Sequence, residues 1–355
     1  MPDFYEIDFL GVGDGKSGDA ILIRYSVGGK VRIHVVDGGF QETGESLVAH
    51  IKKYYGPSSR INSVILTHPD GDHAGGLPSL FESFQIDELW MFRPWLYVDQ
   101  LIDRFSRFTS VSNLQQRFKE LYPNVAKLEE LAVKNGVSIH EPFQGRRIGE
   151  FSVLAPSRKR YLELLVESEK TPEATKELKE AILDSGRGIL KKATDFIRLA
   201  WGVEVFPEDD TSAENNMSVV QSANLCEQKI LLTGDSGRAT LTEAIDYAAF
   251  VGLILPGIDK IQVPHHGSRH NVSTEILDRI LGPKLDTQSE KFYAIVSSAK
   301  NDKDHPRKAV VRAFIHRGAK VYSTEGKTLY IRHNAPQRPG WSSVDPVPYP
   351  EKQEV

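Results

Sequence analysis

The sequence predicts an α/β sandwich, with two sheets inside and helices outside, and three observations carry that prediction. Apolar runs of strand length alternate with amphipathic helical patterns along most of the 355 residues. That order of elements runs once before Phe92 and returns after Met217. A composition of 40% hydrophobic and 26% charged residues supplies the shared core that two packed sheet-and-helix halves require.

The first half opens with a strand over residues 5–12, "YEIDFLGV", and a hairpin over 19–39 whose apolar arms turn at Gly28-Gly29. A helix over 44–55 follows, then a strand over 61–68, a helix over 75–84 and a strand over 86–92. The second half repeats the scheme. A hairpin spans 217–235, a helix 239–250, a strand 259–267, a helix 273–282 and a strand 292–298. A helix over 308–318 and strands over 320–324 and 328–332 complete it.

Two segments interrupt the repeat. Residues from about 92 to 135 form a helical cover that mixes aromatics with bases, and residues from about 158 to 210 read as a charged helical insertion. The domain is expected over residues 1–333, followed by a Pro-rich, aperiodic tail over 334–355 that lies extended on the surface or is disordered. A net charge of -4 gives no global attraction for nucleic acid or an anionic membrane. The single cysteine, Cys226, excludes an internal disulfide framework and a Cys-rich zinc site. With no leader pattern and no apolar run long enough to span a bilayer, a cytoplasmic protein without a membrane partner is expected.

The chemistry gathers at strand ends. Behind "SVILT" the loop "HPDGDH" presents His68, Asp70, Asp72 and His73 within six residues. Charged groups at the end of a buried strand are costly unless paired or bound to a cation, and imidazole with carboxylate suits one or two divalent metals. A capping aspartate with incidental histidines would explain one Asp-x-x-His; four such groups in six residues exceed it. Asp37 after "VV", Asp235 after "ILLTG" and His265-His266 after "IQVP" repeat the pattern at three other strand ends, where ligands collect in α/β folds. Any one of them alone is ordinary turn chemistry. The glycine-rich "GVGDGKSGDA" is spaced one residue too short for a phosphate-binding P-loop and precedes a hairpin, so it reads as a turn bordering the site.

These strings resemble a known family. "HPDGDH" is similar to the H-x-[HD]-x-D-H motif of the metallo-β-lactamase superfamily, with "TGD" and "PHHGS" in its later motif positions. Together with "FLGVGDGKSGDAILI", "VVDGG", "ENNMSVV" and "DHPRKAVVRAFIHRGAKVYST", they resemble the soluble domain of ComEC-type competence proteins, which take part in DNA uptake. The resemblance implies the metallo-β-lactamase αββα sandwich with helical insertions. It also implies a site for two divalent metal ions, Zn or Mn, held by His68, Asp70, Asp72, His73, Asp235 and His266. Asp70 stands where most relatives have histidine, which makes the site more oxygen-rich. No third-motif histidine is evident in "AENNMSVV", so Asn215, Asn216 or Ser218 is expected to line the site there; His140, the nearest histidine, is not read as a ligand. His265 replaces a glycine of the motif and is expected to face substrate.

Paired divalent ions about 3.5–4 Å apart activate water and stabilise both oxygens of an in-line displacement. Asp72 is expected to orient the nucleophile and His265 to protonate the leaving group. Ser268 is expected to bind a substrate oxygen, His305 to be a substrate or supporting residue, and Asp37 to support the ligands from behind. Three functional classes follow. The first is a phosphodiesterase or nuclease, with single-stranded DNA or a small phosphodiester as partner. Arg93 and Trp95, directly after a strand end, are its candidate groove residues. The second is a hydrolase of a small phosphoester, cyclic nucleotide or lactone. The third, an inactive binding protein, is opposed by the near-complete ligand set.

Overall fold

The structure is a computed structural model, and it describes residues 2–56, 60–171 and 196–354. Six strands of the first sheet arrive in chain order: β1 (Phe4–Phe9), β2 (Ile21–Val27), β3 (Lys30–Val36), β4 (Ile61–Ile65), β5 (Ile86–Trp90) and β6 (Ser138–His140). The second sheet takes β7 (Arg147–Ile148), β8 (Phe151–Ala155), β10 (Val220–Leu225), β11 (Gln228–Leu232), β12 (Lys260–Gln262), β13 (Phe292–Val296) and β14 (Ala319–Ser323). Between them β9 (Phe196–Arg198) stands apart. The chain then returns through β15 (Leu329–His333) to the outer edge of β1, and β16 (Lys352–Glu354) pairs with β9.

The repeat seen in the sequence is a repeat of sheet design. Each sheet has an antiparallel hairpin on one side, β2–β3 or β10–β11, and parallel strands on the other, β3 to β6 or β11 to β14. The first hairpin turns on Gly28 and Gly29 at φ of 58° and 76°, the left-handed pair that a two-residue turn requires. The second turns on Cys226 and Glu227, also left-handed. Because the parallel strands run the same way, their C-terminal ends open onto one rim of the sandwich.

One core fills the space between the sheets, where Ile21, Ile23 and Val36 share the face of His34 that meets Phe151 and the second sheet, and it continues through Val35, Val64 and Leu89 on the opposite face. A second lies between the β10–β14 side and the helices Arg238–Ala248, Thr274–Leu281 and Lys308–His316. His34 joins the sheets from within: its ring stacks on Phe151 at 4.4 Å and its Nε2 meets Gln221 Oε1 at 3.1 Å. Burial holds that imidazole neutral, with its pKa pushed down to about 3. Among the described residues no helix is long and apolar enough to cross a membrane.

Two expectations need correction. Of the helix expected over 75–84 only Pro78–Ser83 is helical; a separate turn, Gly71–Ala74, precedes it, and between them Gly75 and Gly76 press so closely on Phe40 and Gly38 that no side chain fits. The insertion is helical over Arg158–Glu167, but Phe196–Arg198 is a strand and 199–212 is irregular; the rest of that expected helix, 172–195, lies outside the described residues. The tail, expected to lie extended on the surface or to be disordered, runs extended over the surface and is anchored at two points: Arg338 is buried against Asp8, and Glu354 accepts the backbone N–H groups of Lys308 and Ala309 at the start of a helix.

Candidate metal centre

The strand ends deliver the predicted side chains to the common rim. After β4, Thr67 and His68 continue into an extended Asp70, and the single helical turn Gly71–Ala74 carries Asp72 and His73 back over the sheet. After β11, Gly234 adopts φ of 51° in a slot where a Cβ would lie 3.1 Å from Thr67 and 3.2 Å from Ser218, which turns Asp235 inward. Ser218 Oγ accepts the Asp235 N–H at 3.1 Å. After β12, the turn Pro264–Gly267 holds His265 and His266 at φ of 47° and 54°. Left-handed backbone at two successive non-glycine residues is strain of the kind kept at functional sites.

Four imidazoles converge on one carboxylate oxygen. Asp235 Oδ2 lies 3.4 Å from His73 Nε2, 3.5 Å from His265 Nε2 and 3.8 Å from both His68 Nε2 and His266 Nε2. Asp72 Oδ2 completes one side, 3.8 Å from His73 Nε2 and 3.7 Å from His266 Nε2. Asp70 Oδ2 stands 3.9 Å from His68 Nε2 on the other. These gaps are longer than ordinary hydrogen bonds and match donors that share an ion through bonds of about 2.0–2.2 Å.

The hydrogen bonds behind the rings explain which nitrogen faces inward. His73 Nδ1 donates to Asp37 Oδ2 at 2.7 Å and His266 Nδ1 to the Ser297 carbonyl at 2.9 Å. Thr67 spends its one hydroxyl proton on Asp37 Oδ2 at 2.6 Å, so toward His68 Nδ1, 3.1 Å away, it can only accept. Each ring therefore carries its proton on Nδ1 and turns a bare Nε2 to the centre. The Nε2 atoms of His68, His73 and His266, with Asp235 Oδ1 and Asp19 Oδ1, are buried without a hydrogen-bond partner among the described residues. Orphaned lone pairs directed at one another are the arrangement a cation resolves.

Electrostatics give the same answer. Burial alone would drive the imidazoles neutral, yet Asp235, Asp37 and Asp72 pull His73 well above its ordinary value, and Asp235, Asp72 and Asp19 raise His266 to about 9. Asp235 ionises despite burial because His265, His73 and His266 hold it well below the usual carboxylate range. The concentrated negative charge favours a cation at these inward Nε2 atoms, a second proton on His73 and His266 when no ion is bound and a metal in its place when one is.

The remaining predicted residues fall in different places. Asp37 is wholly buried behind His73 and Thr67. Asn215 Nδ2 reaches His265 Nδ1 at 3.2 Å, whereas the Asn216 amide binds Asp210 and Thr240 away from the centre. Ser268 is buried, its N–H given to the His265 carbonyl at 2.8 Å. His305 stacks on His265 at 5.7 Å and its Nδ1 meets Asp302 Oδ2 at 3.2 Å. Burial, with His266 and His265 beside it, lowers its pKa to about 4. His140, on β6, packs against Trp90 at 4.8 Å. Arg93 and Trp95 do not face the centre as groove residues: Trp95 is 3% exposed, and both donate to Glu129.

One carboxylate was missed. Asp19, wholly buried, forms with His73, Asp235 and His266 a group whose donor atoms lie within 4.8 Å of one another. It comes from the glycine-rich turn, where Gly18 packs so tightly that a Cβ would lie 2.6 Å from the Asp72 carbonyl. A carboxylate immediately before the apolar run of β2 was the available signal.

Residues 13–91 match the model of the metallo-β-lactamase superfamily. Among solved structures, the metallo-β-lactamase fold protein YhfI from Bacillus subtilis is 10% identical, with a TM-score of 0.43 over 93% of this chain and 100% of that one. Zn(2+)-bound PqqB from Methylobacterium extorquens is 13% identical, with a TM-score of 0.42 over 92% and 99% of the two chains. No curated protein matches the chain. The matched stretch, residues 13–91, holds Asp19, Asp37, His68, Asp70, Asp72 and His73, so the likeness to the metallo-β-lactamase superfamily model falls on the segment that carries most of the centre's donors.

Proposed function

We propose that the chain is a metal-dependent hydrolase of phosphodiesters, taking Zn²⁺ or Mn²⁺ at the rim. The observation that carries this reading is the set of bare imidazole nitrogens and carboxylate oxygens around Asp235 Oδ2. Its donors would hold two divalent ions: one by Asp72, His73, Asp235 and His266, with Asp19 at its edge, the other by His68, Asp70 and the shared Asp235. Such ions supply an activated water and neutralise charge on the reacting phosphoryl group. A carboxylate-rich set favours the harder ions and hard phosphoryl oxygens over soft ligands. Asp72, part-exposed at the mouth, orients the attacking water. His305, neutral and held by Asp302, lines the same edge, and exposed Lys16, Lys300 and Lys303 flank it on the loops of Ser17 and Asp302.

A compact substrate is supported over a polymer by the helical cover. Glu129 gathers Arg93, Trp95 and Lys119, so these groups pack the cover onto the body and do not offer a stacking groove. Nuclease activity is the second reading, supported by the resemblance to the ComEC-type domain. Protein loaded with Mn²⁺ or Zn²⁺ should cleave bis-p-nitrophenyl phosphate and lose that activity to a chelator. Turnover of single-stranded DNA well above that of the small diester would favour the nuclease. Hydrolysis of a lactone, with no diester cleaved under either metal, would overturn the phosphodiesterase.

A further inference from the structure

The second metal position, as described so far, has only three protein donors, and the segment expected to supply another, "AENNMSVV", contains no histidine. We infer that His265, the residue in the glycine position of the last motif, is the missing ligand, and that it completes the second position with His68, Asp70 and Asp235. The inference rests on the metal-dependent reading above and assigns one of its ligands.

The argument turns on where the His265 proton sits. Its Nδ1 has two neighbours, Asn271 Oδ1 at 3.1 Å and Asn215 Nδ2 at 3.2 Å, which make opposite demands on it. Asn271 is fully buried, and its amide nitrogen is committed to two carbonyls, Asp235 at 2.8 Å and Ser236 at 3.1 Å. Its oxygen therefore has to be the atom facing His265, and it can only accept. Asn215 is under no such constraint. Its other partner is the Thr211 hydroxyl at 2.7 Å, which donates or accepts equally well, so this amide can present its oxygen to the ring. The proton thus resides on Nδ1.

His265 Nε2 is then a bare lone pair, 3.5 Å from a carboxylate oxygen that is itself only an acceptor. This is the relation that His68, His73 and His266 bear to the same atom: proton outward to an acceptor, lone pair inward. A neutral ring acting as the leaving-group acid would need the opposite tautomer, with its proton on Nε2. Two features agree. The left-handed turn that brings His266 Nε2 to 3.8 Å from Asp235 Oδ2 also brings His265 Nε2 to 3.5 Å from that atom. Asp70, which contributes Oδ2 toward His68, has its Oδ1 paired with Lys170, so the carboxylate is held in place for the second position.

The test counts metal. His265→Gly removes the imidazole and keeps a residue at ease at φ of 47°, so the turn survives. Wild-type protein equilibrated with Mn²⁺ and measured by elemental analysis should hold two ions per chain. The glycine variant should keep one, its second site weakened by at least roughly 10²-fold, and added imidazole should restore part of that binding. Two ions at wild-type affinity in the variant would overturn the inference and return His265 to substrate. Loss of both ions would also overturn it, as would a single ion in the wild type. No ion in the wild type would instead remove the metal-dependent reading itself.

Discussion

Asp37 faces neither metal position, yet it fixes two of the rings that do. Its carboxylate takes the Nδ1 proton of His73 directly and, through Thr67, sets the tautomer of His68. Asp37→Asn should therefore weaken metal binding by roughly 10–100-fold although no ligand is changed. Competition with a chromogenic chelator measures this, and unchanged affinity would show that the tautomers are set elsewhere. Asp235→Asn should do more, because its Oδ2 faces both positions; both metal content and diesterase turnover should fall, and full metal occupancy with wild-type turnover would remove Asp235 from the centre. At this scale the sequence was legible where a donor ends an apolar strand, as at His68, Asp235 and His266. It was less so for Asp19, which hides in a glycine-rich turn that looks like ordinary turn chemistry. The tautomers were not legible at all, since they depend on Asn271 and Ser297, whose contacts are tertiary.

Elements outside the repeat show how pattern and packing part company. The tail carries no periodicity, so nothing in its own sequence indicates that Arg338 penetrates the first sheet. It does so because β1 buries two carboxylates. Arg338 pairs bidentately with Asp8 at 2.6 and 2.9 Å and lies against the rings of Tyr330, Tyr54 and Trp341. Asp8 is fully buried, and despite that burial His50 and Arg338 keep its carboxyl below the usual range. Removing the guanidinium strands that charge, so Arg338→Ala should cost about 3–5 kcal/mol of stability. Denaturant unfolding checks it, and a loss under about 1 kcal/mol would mean that His50 and the Tyr55 hydroxyl sustain Asp8 without it. The cover misled in the opposite direction. Arg93 and Trp95 have the composition of a nucleic-acid groove, and only the position of Glu129 shows that they are packing.

Across the whole molecule, the second insertion, the outer helices and the tail meet at one buried carboxylate. Glu204, from the far end of the insertion, accepts from His316 Nδ1 at 2.9 Å, Arg317 at 2.7 Å and the Thr274 hydroxyl at 2.7 Å. The tail's Tyr349 closes the cluster on His316 Nε2 at 3.1 Å. The sandwich was readable from its repeated strand and helix patterns, but this junction was not, because it joins residues 33 to 113 positions apart. Burial opposes ionisation of Glu204, and the His316 and Arg317 hydrogen bonds overcome it, holding the carboxyl down at about 2 against an ordinary value of 4.5. A group whose folded pKa is depressed contributes stability that is complete above its unfolded value and fades as pH falls toward the folded one. Glu204→Gln should thus lower stability by about 3 kcal/mol at pH 7, since it breaks a buried pair and leaves Arg317 with only Asp278. The difference between wild type and variant should stay level down to about pH 5 and shrink below 4.5. Urea unfolding of both proteins from pH 7 to 3.5 provides the comparison. A gap that keeps its full size to pH 3.5 would mean that the wild-type carboxylate is not what binds insertion, helices and tail together.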